Sequence, residues 1–221
     1  MIPELGHFAL ILALCVALVQ SVVPMIGAAR GDQAMINFAR PAAYAHFLCV
    51  AVAFAILTYA FLVNDFSVAY ATRNSNTALP TIYRISAVWG AHEGSLLLWS
   101  LILCVWTAAV ARFSRNLPEA FTARVISVMG LISIGFLLFM LLTSNPFERL
   151  FPGPVDGRDL NPLLQDFGLV IHPPMLYFGY VGFSVAFAFA IAAMLDGRLG
   201  TEWARWARPW TSVAWLFLTI G

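Results

Sequence analysis

Apolar residues run along the chain in long stretches that no charge interrupts, and charged residues collect in short clusters between them. The uncharged runs are 25, 24, 18, 23, 29 and 13 residues long. A helix needs about 20 apolar residues to cross the ~30 Å hydrocarbon core of a bilayer. The pattern therefore predicts an all-α, polytopic transmembrane helix bundle, with five full spans and a shortened sixth. The predicted spans are Leu5–Ala29, Pro41–Asn64, Ile85–Ala111 (broken only by Glu93), Val125–Phe147, 173–195 and Pro209–Gly221. The last would rise only about 20 Å as a helix, so residues 1–221 read as the N-terminal part of one larger transmembrane domain, truncated in its sixth span.

Composition narrows the class further. Apolar residues make up 61% and charged residues 10% of the chain, against roughly 45–50% and about 25% in soluble domains. All 12 basic residues are arginine and the net charge is +1, which leaves no broad cationic face for nucleic acid. Cys15, Cys49 and Cys104 each lie inside an apolar run and form no CxxC pattern, so they read as buried structural thiols. The N-terminus has no basic leader, and its first run is too long for a signal peptide. Arginines on alternate connections divide eight to four. Arg30, Arg40, Arg112, Arg115, Arg124, Arg198, Arg205 and Arg208 lie on one side, and Arg73, Arg84, Arg149 and Arg158 on the other. Basic residues beside spans are retained inside, so the N-terminus and the loops 65–84 and 148–172 are expected to face outside.

Two stretches carry chemistry that lipid-facing filler does not need. The first is Trp89-Gly90-Ala91-His92-Glu93-Gly94-Ser95, near the outer end of the third predicted span. A carboxylate or histidine there is costly unless it is paired or hydrated. On a continuous helix Trp89, His92, Leu96 and Trp99 would share a face, and Gly90 and Gly94 would form a small-xxx-small contact. The stretch reads equally as the wall of an outward-facing site or as an interfacial helix start, with Trp89 in the aromatic belt.

The second stretch is Ile171-His172-Pro173-Pro174-Met175-Leu176-Tyr177-Phe178-Gly179-Tyr180. Proline is best tolerated in a first helical turn, so the helix is expected to begin at Pro173 or Pro174, with His172 just before it. Upstream, Leu160, Leu163, Leu164 and Phe167 recur at helical spacing beside Asn161, Gln165 and Asp166, which predicts a short amphipathic surface helix. A histidine held there is placed to be an axial metal ligand, with Tyr177 and Tyr180 lining the same cavity. The competing reading is a capping or belt histidine. His7, near the outer end of the first span, and His46, without an acidic neighbour at helical spacing, read as structural.

The same stretches carry a family resemblance. Met1–His7, Asp65–Tyr70, Trp89–Trp99, Thr143–Phe147, Gly157–Asp166 and His172–Phe183 resemble, in order and over the whole chain, the CcmF-type membrane haem lyases of system I cytochrome c maturation in bacteria. The related NrfE lyases share much of the pattern. The resemblance implies a multi-pass protein of the bacterial inner membrane that takes haem b from a CcmE-like chaperone. With CcmH- and CcmI-like subunits, such a protein joins haem covalently to apocytochrome c on the outer face. His172 falls on the first of the family's two outer haem-ligating histidines. Trp89, His92, Glu93, Tyr177 and Tyr180 are the further candidate haem contacts, and no catalytic residue is assigned. The family's tryptophan-rich haem segment, second outer histidine and membrane histidines for a structural haem b match nothing before Gly221, so a lyase would need more than these residues. Two other classes stand beside this one: an ion-coupled transporter using His92 and Glu93, and a scaffold that only docks partners.

Overall fold

The computed structural model describes residues 1–197 and 200–221; Arg198, counted above among the inner arginines, lies outside the described residues. The protein is a polytopic helical bundle. Its helices are α1 (Ile2–Arg30), α2 (Gln33–Asn37), α3 (Ala39–Leu62), α4 (Ala69–Asn74), α5 (Thr81–Ala87), α6 (His92–Phe113), α7 (Glu119–Thr143), α8 (Phe167–Asp196) and α9 (Glu202–Ile220). Among the described residues, α1, α2–α3, α6, α7 and α8 are long and apolar enough to cross a membrane. Helix α1 packs between α3 and α7, α6 packs on α3, α7 and α8, and α9 lies along α8.

Local chemistry sets the helix ends. Gly31 takes the left-handed conformation (φ 71°) and closes α1, a conformation that costs glycine nothing. Asp32 then accepts hydrogen bonds from the Ala34 and Met35 N–H groups at 2.9 and 3.2 Å and opens α2. Helix α2 folds back so closely that a Cβ on Gly27 would lie 2.5 Å from that of Met35.

Four helices meet at one buried polar chain. The Gln20 amide of α1 donates to the Ile126 carbonyl of α7 at 3.0 Å, which turns its oxygen toward His46 of α3, 3.0 Å from Nδ1. That oxygen only accepts, so Nδ1 carries the proton and Nε2 keeps its lone pair. The Cys104 thiol of α6 lies 3.6 Å from Nε2 and is its donor. Ser127 donates to the Gln20 carbonyl at 3.3 Å, and Gly130 leaves room for Gln20 and Ser21 against α7. Of the three thiols read as buried, Cys104 is buried, Cys49 is half-buried and Cys15 lies exposed on α1.

Four local expectations are corrected. The third predicted span is not one helix, because the chain breaks at Val88–Ala91 between α5 and α6. Helix α8 starts at Phe167, not at the prolines: the Asp166 carboxylate caps the Gly168 N–H at 2.8 Å. The two prolines lie inside the helix and leave the carbonyls of Leu169 and Val170 without their ladder bonds. His172 consequently lies within the helix. Upstream of it, the predicted surface helix is only a 3₁₀ turn, Pro162–Leu164, with Leu160 buried and Leu163 and Phe167 exposed. Helix α9 starts at Glu202, seven residues before Pro209, because Trp203, Trp206, Ala207, Trp210 and Ala214 form an apolar stripe packed into the bundle.

The polar chain predicts a coupled pair. His46→Leu and Gln20→Leu each lower the thermal midpoint of the detergent-solubilised protein. The double variant loses less than the sum, with a coupling of about 1 kcal/mol, read from a double-mutant cycle.

Candidate functional site

Residues 65–84 and 148–166 join into one cap over the end of the bundle where α6 begins. The Ala69 N–H donates to the Glu148 carbonyl at 2.8 Å, Leu150 N–H to the Ser67 carbonyl at 2.8 Å, and Arg158 N–H to the Thr72 carbonyl at 2.7 Å. The Asp156 carboxylate accepts from the Thr77 N–H and hydroxyl at 3.0 and 2.8 Å, and from the Gly157 N–H at 2.8 Å. These donors hold its pKa below the usual carboxylate range, the Thr77 hydroxyl contributing most.

Under the cap sits the elbow between α5 and α6, whose exposed backbone groups need partners. Tyr70, fully buried, supplies them: its hydroxyl donates to the Val88 carbonyl at 3.0 Å and accepts from the Ala91 N–H at 3.2 Å. Burial pushes the Tyr70 phenol up from its ordinary value, with the Glu93 carboxylate adding to the shift, so the group remains a neutral donor. The Ser95 hydroxyl donates to the Trp89 carbonyl at 2.7 Å. Gly94 is required here, because a Cβ would stand 1.7 Å from the Val88 oxygen and 2.7 Å from the Tyr70 hydroxyl.

The elbow gathers three of the candidate residues, though not on the continuous helical face the sequence predicted. Trp89 lies in the break, half-buried against both halves of the core. His92, the first residue of α6, is exposed; its Nδ1 is 3.2 Å from the Ser144 hydroxyl and its ring stands edge-on to Phe139 at 5.9 Å. Glu93 faces Arg73 of the cap at 3.8 Å, and Arg73 in turn faces Glu148 at 3.9 Å. The Glu93 charge is thus met at the rim and not inside the bundle.

The other three candidates lie on α8 and divide between two neighbours. Tyr177 packs on Trp99 of α6, ring centroids 5.3 Å apart, and Trp99 stacks on Phe136 of α7 at 5.7 Å. His172 is exposed, and its Nδ1 hydrogen-bonds the Gly221 main-chain oxygen at the end of α9. Five residues along a helix turn the side chain by about 140°, so His172 and Tyr177 look in different directions. Tyr180, 57% exposed, falls between them. Among the described residues no hydrogen bond, ion pair or ring contact joins His172 to Trp89, His92 or Glu93. The contacts thus group Trp89, His92 and Glu93 at the elbow, while on α8 Tyr177 meets Trp99 and His172 meets the end of α9. Tyr70, which organises the elbow, was not singled out from the sequence. Nothing local sets it apart from Phe66 and Tyr83 in the same connection.

Comparison with known proteins follows the same lines. The family model described as cytochrome C assembly protein matches residues 89–221. Over its whole length the chain is 69% identical to cytochrome c-type biogenesis protein CcmF of Pseudomonas aeruginosa and 59% identical to that of Escherichia coli. It is 46% identical to cytochrome c-type biogenesis protein NrfE of Haemophilus influenzae. The chain spans 34% of the length of both CcmF relatives and 35% of NrfE. A solved structure described as cytochrome c heme lyase CcmF superposes with a TM-score of 0.87 at 33% identity, over 99% of this chain and 34% of that one.

Two outcomes test the cap and elbow. Gly94→Ala destabilises the protein far more than Gly135→Ala, whose added Cβ would meet nothing within 4 Å; thermal unfolding in detergent reads the difference. Because the Asp156 pKa is lowered in the fold, its anchoring is fully present at neutral pH and is lost as pH falls through that lowered value. Proteolysis around 150–160 therefore rises in acid, and Asp156→Ala brings the same susceptibility to pH 7.

Proposed function

The chain belongs to the cytochrome c assembly protein family, and on that footing we propose that it forms the haem-presenting part of a membrane haem lyase. In this reading haem b arrives from a CcmE-like chaperone and is substrate, held at the cap end. CcmH- and CcmI-like subunits bring apocytochrome c to the same end. The protein lies in the bacterial inner membrane with the N-terminus and the cap outside, a placement supported by the division of arginines. A structural haem b and the remaining haem contacts belong to residues outside this chain.

The observation that carries the reading is the placement of the His172 ring, exposed in the first turns of α8 beside the end of α9. Its Nδ1 faces the Gly221 main-chain oxygen; a hydrogen bond donated there leaves the Nε2 lone pair available to iron. A metal-ligating histidine is commonly held in this way, with its other nitrogen donating to a carbonyl that fixes tautomer and orientation. Tyr177 on Trp99, the outward Tyr180 and Trp89 at the elbow supply flat aromatic surfaces of the kind a porphyrin packs against.

The chemistry asks for holding more than for a catalytic nucleophile. An apocytochrome thiol adds across a haem vinyl group: the sulfur–carbon bond forms, the carbon–carbon π bond is lost, and the thiol hydrogen ends on the neighbouring carbon. The nucleophile and proton both come from the substrates. This chain's residues orient the haem and hold its iron, which raises the effective concentration of the vinyl group at the incoming thiol.

His172→Ala in the full-length protein is expected to reduce retained substrate haem roughly tenfold or more, read from the haem absorbance band, and to abolish cytochrome c maturation. His92→Ala, which removes a ring bonded to Ser144, has the smaller effect. Unchanged haem retention and maturation in His172→Ala protein that unfolds at the parent temperature would refute the ligand role.

A further inference from the structure

The end of the bundle opposite the cap carries a second recess. A groove of about 590 Å³ opens between the last turns of α6, the α6–α7 connection and the first half of α9. Its walls are aromatic, chiefly Trp106, Trp206 and Trp210, while Ser114, Asn116 and Arg205 lie among its lining. This volume falls within the range of small-molecule sites.

Three observations specify an occupant. First, the Ser114 hydroxyl is buried, the residue only 4% exposed, and has no hydrogen-bond partner. An unpaired buried hydroxyl is costly, and Ser114 is a residue of the groove wall. Second, the Arg205 guanidinium has no ion-pair partner among the described residues. Glu202, the acidic residue of α9, is outside the lining. Third, two further arginines lie beside the groove residues in the chain: Arg112, in the last turn of α6, stands 5.6 Å over the ring of the groove residue Phe113, and Arg115 lies on the α6–α7 connection between Ser114 and Asn116.

We propose that this groove binds one anionic phospholipid. Its phosphodiester is held by Arg205, with the Ser114 and Asn116 side chains as neutral donors, and an acyl chain lies along Trp106 and Trp210. A guanidinium matches a phosphate with two parallel hydrogen bonds, and tryptophan spans the polar–apolar boundary where such a headgroup sits. A basic pocket between membrane helices is a recurrent setting for acidic lipid. The inference holds for either orientation of the bundle and does not rest on haem.

The protein as the cell makes it, purified into nanodiscs of phosphatidylcholine doped with phosphatidylglycerol, provides the test. Lipid retained per protein after delipidating washes is read by mass spectrometry. Phosphatidylglycerol is expected to be retained over phosphatidylcholine by about fivefold, the factor one basic group at the membrane surface supplies. Arg205→Gln removes that preference, Arg205→Lys keeps most of it, and Ser114→Val weakens it. Arg208→Gln is the control: Arg208 lines a different recess with Ala186 and Trp215, and its loss leaves retention unchanged. Equal retention of the two lipids, or an Arg208→Gln effect equal to that of Arg205→Gln, overturns the proposal. So does a photo-crosslinker attached at Val213→Cys that captures protein in place of lipid, which identifies the occupant as a further protein segment.

Discussion

In hydrocarbon no water is available to a polar group, so every donor and acceptor must be satisfied by the protein itself. The body of the bundle is organised by that constraint. Glutamine, histidine and cysteine would each be costly alone at this depth; as Gln20, His46 and Cys104 they satisfy one another across α1, α3 and α6 and end on a carbonyl of α7. Each donor and acceptor is used in one sense only, which fixes the histidine tautomer. Apolar contacts between membrane helices tolerate sliding, because lipid tails are as apolar as leucine. A directional chain of this kind specifies which helix faces meet.

At the cap end the same constraint is met by different means, because there the backbone leaves the helix. The elbow Val88–Ala91 exposes carbonyls that a continuous helix would have used. Tyr70 and Ser95 reach in from either side to meet them. The candidate site thus stands on a deliberate interruption, closed by a buried phenol and by a glycine with no room for a methyl group. His172, by contrast, is carried on a rigid helix and steered by its neighbour α9.

Much of this was legible in the sequence, and the parts that were not have identifiable causes. Uncharged run lengths reveal spanning helices because burial and hydrogen-bond satisfaction in lipid act over the whole stretch. They hide a break such as that before His92, where Trp89-Gly90-Ala91 is as apolar as the helices beside it. Proline misled in the other direction at Pro173-Pro174. Asp166 caps a helix that continues through both prolines, so His172 is helical where an extended residue was expected. Charge misled at α9: Arg205 and Arg208 interrupt the apolar run, yet the tryptophans at three- and four-residue spacing already marked one continuous face. Tyr70 escaped notice because its role depends on a contact with a loop eighteen residues away, which no local pattern encodes.

The close seating of α9 on α8 carries one more implication. Gly179 and Gly182 leave no space for a side chain between α8 and Leu218, Ala214 or Trp106, so the two helices behave as a single ridge. The oxygen that the His172 ring faces comes from the end of that second helix. The setting of the imidazole therefore depends on how α9 fits against α8. A methyl group inserted two turns below the histidine would act like a shim under a lens mount, redirecting the ring without touching it.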